Sequence, residues 1–559
     1  MLDLIASNLA PIMFLNLIVF LLLGFPVAFT LAAVGVLYGL VAIEFGFMQP
    51  ALFQALPQRV YGIIANDTLL AVPFFTLMGL VLERSGMAED LLDTIGQLFG
   101  PIRGGLAIAV ILVGAMLAAT TGVISASVIS MGLISLPIML RYGYDRRLAS
   151  GVIAASGTLS QIIPPSIVLI ILADQLGRSI GDMYRGAMLP GLLLTLTYVL
   201  YVFLLAIFKP KSVPALPPDA RTYIEKDGSR GLRSLLVLTL LAAGVSYLGS
   251  GYYFATHENV PVDESIVIVL LIWGTAAFVM ASVNKILRLG LLSQIAERVT
   301  FVMIPPLFLI FLVLGTIFIG VATPTEGGAM GAVGAIIMAS SRGRLNFKLL
   351  GQAMASTTRL SCFVVFILVG STIFSLSFRG VNGDLWVESL LIDMPGGDLG
   401  FLAVVSVLTF FLAFFLDFFE LAFIIVPLLG PVAELMGIDL IWFGVLLAVN
   451  MQTSFMHPPF GFALFFLRSV APREDYTDSV TGAKIRRITT GDIYWGAVPF
   501  IIIQIAMVAF VLFFPGIVTH YKHGEVLLDD SQIEFGVEDP FGTDEYGYGD
   551  GADSSSPFY

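Results

Sequence analysis

The chain has 559 residues, 57% of them hydrophobic and only 12% charged, which excludes a string of soluble domains and describes a polytopic helical membrane protein. The net charge of −12 is concentrated in residues 525–559, which carry ten acidic and no basic side chains; the remaining −2 leaves nothing basic enough for nucleic acid. One cysteine (Cys362) and four histidines make neither an internal disulfide nor a zinc pattern, and continuous apolar runs exclude a β-barrel.

In chain order, the N-terminus lacks a basic region and a cleavage site, so its first apolar segment is expected to be a retained span. Residues 11–43 are interrupted at Gly24-Phe25-Pro26 and read either as one kinked span or as two short ones. A span follows at 68–83. Residues 105–140 then hold two apolar arms around Thr120-Thr121-Gly122 and Ser125-Ala126-Ser127. Arg103 flanks one end and Arg141, Arg146 and Arg147 the other, so both ends lie on the cytoplasmic side and the arms form a re-entrant hairpin. A helix over 148–176, broken at Pro164-Pro165, runs outward, and 186–208 returns.

Residues 209–233 carry six basic and three acidic side chains plus Pro214, Pro217 and Pro218, and read as a solvated cytoplasmic linker. Spans follow at 232–250, 265–283, 299–319, 324–340 and 356–378. Residues 380–398 contain four acids and no basic side chain and belong outside. A second pair of arms, 399–436, surrounds Asp417-Phe418-Phe419-Glu420 and opens outward. The second broken helix, 441–470, reaches the basic segment Arg473 to Arg487, and a last span occupies 493–514. The acidic tail reads as disordered, with docking to a basic partner as its alternative.

The two halves repeat. At a fixed offset of 294 positions Pro137 meets Pro431, Gly143 meets Gly437, Asp145 meets Asp439, Ser160 meets Ser454, and Pro164-Pro165 meets Pro458-Pro459. The first copy opens inward and the second outward, which makes an inverted-topology repeat. Unwound backbone at membrane depth is tolerated only inside protein or along a cavity, so paired broken helices point to a transporter binding site.

Several stretches resemble the large membrane (permease, DctM-like) subunit of tripartite ATP-independent periplasmic (TRAP) transporters. They are PFFTLMG (73–79), GYDRRLASGVIAASGTLSQIIPPSI (143–167), LPG (189–191), GVATPTEGGAMGA (320–332) and NMQTSFMHPPFGFALFF (450–466). The resemblance covers most of 11–210, 295–470 and 490–515. It implies an all-α, elevator-type, ion-transporter-like fold in the bacterial inner membrane, and sodium-driven symport of an organic acid anion. Its implied partners are a small DctQ-like membrane subunit and a periplasmic DctP-like binding protein. A stand-alone sodium/carboxylate carrier is the alternative; an enzyme is not expected, and no zinc-type HExxH occurs. The organisation expected is N-terminal scaffold spans (1–100), a first transport repeat (101–208), a linker with two inserted spans (209–298), second-half scaffold spans (299–398), a second transport repeat (399–472), a basic loop with the last span (473–519) and the tail (520–559). The chain departs from the family pattern at Ala126 in the first tip, at Ser160-Gln161 and at His457.

With no cofactor expected beyond Na+ as coupling ion, ion and substrate should meet at the two tips and two breaks. Sodium ligands would be oxygens of Ser125, Ser127, Pro164, Asp417, Ser454 and Pro458; Ser160 is a further hydroxyl candidate, and half-helix N-termini after each Pro-Pro would face a carboxylate. The wider candidate set adds Gly122, Pro165, Ser166, Thr323, Thr325, Glu326, Glu420, Asn450, His457 and Pro459. Bland readings stand beside these. The hydroxyls could cap backbone, Asp417 and Glu420 could be solvated, and Glu326 could cap a helix beginning at 326. His457 is either proton-sensitive or a neutral, hydrogen-bonded structural residue, and Arg379 and Arg468 mark interfaces or clamp a carboxylate.

Overall fold

The computed structural model describes residues 2–121, 124–220, 222, 223, 225, 231–257, 260, 262–391, 395–459 and 461–524. Residues 1–521 form one compact unit that is almost wholly helical. Gly122 and the acidic tail from 525 lie outside the described residues. Among the described residues, nine helices are long and apolar enough to cross a membrane.

The first half runs α1 (Leu2–Leu22), α2 (Val27–Glu44), α3 (Ala51–Gln54), α4 (Leu56–Ile64), α5 (Ala71–Arg84) and α6 (Met87–Phe99). The apolar stretch 11–43 is therefore two helices, parted at Gly24 (φ +83°) and Pro26. The arms α7 (Gly105–Thr121) and α8 (Ile124–Arg141) follow, then α9 (Arg146–Thr158), the break, α10 (Ile167–Gln175) and α11 (Ile180–Phe208). Two inserted helices, α12 (Leu232–Thr256) and α13 (Val262–Ile286), pack on each other and on the start of the second half. That half comprises α14 (Gln294–Phe318), α15 (Pro324–Ser341), α16 (Phe347–Gly380) and α17 (Gly383–Leu391). Its arms are α18 (Gly397–Leu412) and α19 (Phe418–Leu435), and its broken helix is α20 (Leu440–Ser454) and α21 (Phe462–Val470). A two-stranded strap, β1 (Tyr476–Thr477) and β2 (Lys484–Ile485), precedes α22 (Thr490–Phe513) and the short α23 (Gly516–Thr519).

The 294-residue offset holds from α1 through the broken helices. Added to α8 it gives the bounds of α19, and it lays α1 on α14, α2 on α15, α5 on α16, α6 on α17 and α9 on α20. The contacts obey the same exchange: α2 packs against α16 and α5 against α15, while α8 packs against α21 and α19 against α10. The related caps are identical in kind. Asp145 accepts from the amides of Arg147 and Leu148 at the start of α9, and Asp439 accepts from those of Ile441 and Trp442 at the start of α20.

Small residues set the closest crossings. A Cβ on Gly151 would lie 2.0 Å from the carbonyl oxygen of Gly496, and one on Gly496 would lie 2.0 Å from that of Arg147, so α9 and α22 touch backbone to backbone. Across the α2–α16 crossing, a Cβ on Gly370 would lie 2.4 Å from the Ala28 carbonyl oxygen.

Two departures from the sequence reading concern connections. The linker start, 209–220, is held rather than solvated: Val213 and Leu216 are buried, Gly104 donates to Val213, and Asp145 donates to Ser212. The four-residue connection 176–179 of the first half becomes 471–489 in the second, and this longer segment forms the strap. Both carboxylate oxygens of Asp478 accept from the single Nε–H of Arg141, at 3.0 and 3.1 Å, and Arg146 and Arg468 donate to the carbonyls of Arg487 and Ile488. Burial pushes the Asp478 carboxyl up, but the Thr481 amide and hydroxyl and the Arg141 guanidinium outweigh this and hold it at about 2.

Candidate transport site

Each break begins where proline withdraws backbone donors. Both Pro164-Pro165 and Pro458-Pro459 are cis, and helix resumes at Ile167 and Phe462. The first resumption is capped by Ser166, whose hydroxyl accepts from the Val168 amide and donates to the Gln161 carbonyl at 2.8 Å. The second turns on Gly461, which donates to the His457 carbonyl at 2.6 Å; a Cβ there would lie 2.7 Å from the Phe455 carbonyl oxygen. The first break is buried throughout its prolines, whereas Pro459 is exposed.

The hairpins reach these breaks. Gly157, at the end of α9, admits Val128 of α8 so closely that a Cβ would lie 2.3 Å from its side chain. In the second half, Phe410 of α18 and Phe414 of the turn after it bracket His457, at ring distances of 4.1 and 4.7 Å. His457 is buried, and neither ring nitrogen has a hydrogen-bond partner among the described residues, which corrects the expectation of a hydrogen-bonded structural histidine.

The hydroxyls largely serve local backbone. Ser160 donates to the Gly157 carbonyl at 3.0 Å, Ser454 to that of Met451, and Asn450 reaches the Ser406 carbonyl at 2.7 Å. Ser125 is half-buried and Ser127 buried beside the first tip. Asp417 and Glu420 form a capping box at the start of α19, each carboxylate accepting from the other residue's amide at 2.8 Å. They are half-buried, and both carboxylates stand at the hairpin tip.

The ATPTE signature has a different place. Helix α15 starts at Pro324, as the span 324–340 predicts, with Thr323 and Glu326 as an exposed capping box. Thr325 donates to the Asp67 carbonyl at 2.7 Å, tying α15 to the turn before α5. Arg468 donates to the Ile488 carbonyl and so fastens the strap.

The sequence reading missed the polar centre. Gln452 donates to Thr158 at 3.4 Å, and Gln504 donates to the same hydroxyl and to Tyr198 at 2.9 Å. The side-chain oxygens of Gln161, Gln452 and Gln504 are buried without hydrogen-bond partners among the described residues. Buried amide oxygens in that state cost free energy unless something else engages them. The available signal was the repeat itself, because Gln452 stands 294 positions after Thr158.

Two inverted halves, each bringing a hairpin to a proline-broken helix, define the membrane subunit of a transporter. The family model of the tripartite ATP-independent periplasmic transporter, DctM component, matches residues 14–517, and the chain belongs to this family as a TRAP large permease subunit. It is 26% identical over 477 residues to the C4-dicarboxylate TRAP transporter large permease protein of Pseudomonas aeruginosa, covering 85% of this chain and 91% of that one. It is 25% identical over 516 residues to the ectoine/5-hydroxyectoine large permease protein of Ruegeria pomeroyi, covering 91% and 97%. Among solved structures it is similar to the Alcanivorax borkumensis YdaH transporter, with a TM-score of 0.48 and 14% identity over 83% of this chain and 88% of that one. These relatives are transport proteins, not enzymes.

Proposed function

We propose that this permease subunit carries an organic acid anion across the inner membrane of a bacterium, driven by sodium and supplied by a periplasmic binding protein alongside a small membrane subunit. The observation that carries this reading is the set of buried oxygens around the two breaks. Gln161 and Gln452 offer amide oxygens without hydrogen-bond partners among the described residues, beside backbone freed by the prolines. Oxygen donors of this kind suit a hard cation. The capped starts of α10, at the first break, and of α19, at the second hairpin's tip, are positive helix ends beside which an anion would gain.

Alternating access would move the hairpins and broken helices as one body against the crossed pairs α2–α16 and α5–α15. Polar bridges span that boundary: Asn66, in the turn before α5, donates to Asp174 of α10 at 2.7 Å, Ser130 of α8 donates to Glu83 of α5 at 2.8 Å, and Ser371 of α16 donates to the Phe423 carbonyl of α19 at 2.6 Å. An elevator-type displacement breaks all three. The substrates for which these relatives are named, C4-dicarboxylates and ectoines, support a small carboxylate as cargo.

Uptake of labelled organic acids into proteoliposomes holding both membrane subunits tests the reading. Accumulation should require an inward sodium gradient and the binding protein together. Uptake that persists without the binding protein would overturn the tripartite assignment in favour of a stand-alone carrier.

A further inference from the structure

We propose that the cavity between α16, α17 and α19 binds an aminophospholipid headgroup, with Arg379 taking the phosphate and Asp384 and Glu388 the ammonium. The cavity measures about 250 Å³ and is lined by these three charged residues over a floor that includes Pro427, Leu428 and Pro431. That is space for roughly eight water molecules at about 30 Å³ each, enough for a headgroup. It lies at the end of α16 that leads into the acidic, Lys- and Arg-free segment, on the face opposite the basic loops.

The three charges share one cavity, yet Arg379 forms an ion pair with neither acid among the described residues. Among the described residues, the side chain of Asp384 accepts only from the neighbouring Leu385 amide, at 3.0 Å. Opposite charges facing one space without closing on each other suit a guest that carries both signs.

The first half provides an internal control. Asp384 stands 294 positions after Asp90, at the matching place on α17 and α6. Asp90 is neutralised by Arg344 at 2.8 Å, Arg342 at 3.2 Å and Arg298 at 4.0 Å. At the positions 294 earlier than these arginines the chain has Pro50, Met48 and Leu4. The carboxylate is retained while its three arginines are gone, and Arg379 replaces what is Ser85 in the first half. An ammonium from outside the protein supplies the missing cation, and a phosphate on the same molecule meets Arg379.

The apolar floor and the exposed Leu385, Leu390 and Leu435 favour a lipid over a soluble zwitterion with the same head chemistry. The proposal stands apart from the transport reading, because lipid retention is measured without uptake.

The experiment is native mass spectrometry of the delipidated full-length chain with equal amounts of phosphatidylethanolamine, phosphatidylcholine and phosphatidylglycerol. The wild type should retain phosphatidylethanolamine roughly tenfold over phosphatidylglycerol, the size expected for one charge-assisted contact. Phosphatidylcholine, which lacks N–H donors, should fall between them. The D384N/E388Q variant should reverse the order in favour of the anionic lipid, and R379Q should lose retention of both. Equal retention by the wild type would overturn the proposal, and this comparison does not depend on any variant folding. Displacement by glycerophosphoethanolamine as effective as by intact lipid would overturn the lipid assignment in favour of a free zwitterion. A binding-protein footprint over Asp384 and Glu388 that excludes lipid would overturn it in favour of a protein partner.

Discussion

The side-chain amide of Gln452 donates to the hydroxyl of Thr158, a residue 294 positions earlier in the chain. That separation is the repeat offset, so the two positions are equivalents of one another. Equivalent points in two halves related by a twofold rotation can touch only beside the rotation axis. The contact therefore locates the axis between the ends of α9 and α20, with Gln504 and Tyr198 completing a buried polar cluster around it.

Replacing Thr158 with valine removes the acceptor shared by Gln452 and Gln504 and leaves two amides without it. We expect a loss of about 1–3 kcal/mol, the cost of stranding a buried polar group. Q452L in the same background should add less than it costs alone, because the partners share one network. Urea unfolding of the single and double variants in detergent checks both statements.

The crossing of α9 and α22 has no room for a side chain at Gly151 or Gly496. G151A and G496A should each cost at least the 1–3 kcal/mol typical of overpacking and sharply lower the monodisperse yield. G62A, where an added Cβ meets nothing within 4 Å, should leave the yield unchanged. Fluorescence-detected size exclusion separates the outcomes.

Asp417 offers a division between capping and ion coupling. Asparagine caps a helix about as well as aspartate, so D417N should keep the stability of α19 while D417A loses about 1 kcal/mol. Under the sodium reading, D417N should nevertheless need several-fold more sodium for half-maximal uptake. Unchanged sodium dependence in D417N would reduce this residue to a cap.

The strap gives a pH-dependent prediction. The Asp478 carboxyl is held at about 2, below the usual carboxylate value near 3.9. A depressed value means that its contribution is complete above about pH 4 and lost as pH falls toward 2. Trypsin should therefore cut at Lys484, Arg486 and Arg487 several-fold faster in D478N than in the wild type at pH 7. Unfolding measurements near pH 2 should show the two proteins converging.

Most of the fold was legible because membrane spans announce themselves by apolar length, as α11, α14, α16 and α22 do. The amphipathic α4, α6 and α17 are short and mixed in character, and they take their helical form from neighbours, so they carried no such signal. Pro-Pro was informative only in context. Pro305-Pro306 lies inside the uninterrupted α14, while the repeated pairs at 164 and 458 break their helices. At the site, the anchors fixed the elements but not the partners. Nothing in the local sequence around Gln504 shows that it meets Thr158, because that pairing depends on how α22 packs across α9.

The inserted pair α12–α13 has a consequence of parity. Basic residues put the end of α11 (Lys209, Lys211) and the approach to α14 (Lys285, Arg288) on the same side of the membrane. A connector between them can hold no crossing, or two, but never one, because a single added crossing would flip the second half and make the repeats parallel. Insertions at this junction are therefore admissible only in pairs of spans, and deleting α12 alone would send every later loop to the wrong side, whereas deleting α12 and α13 together would leave the inverted arrangement whole.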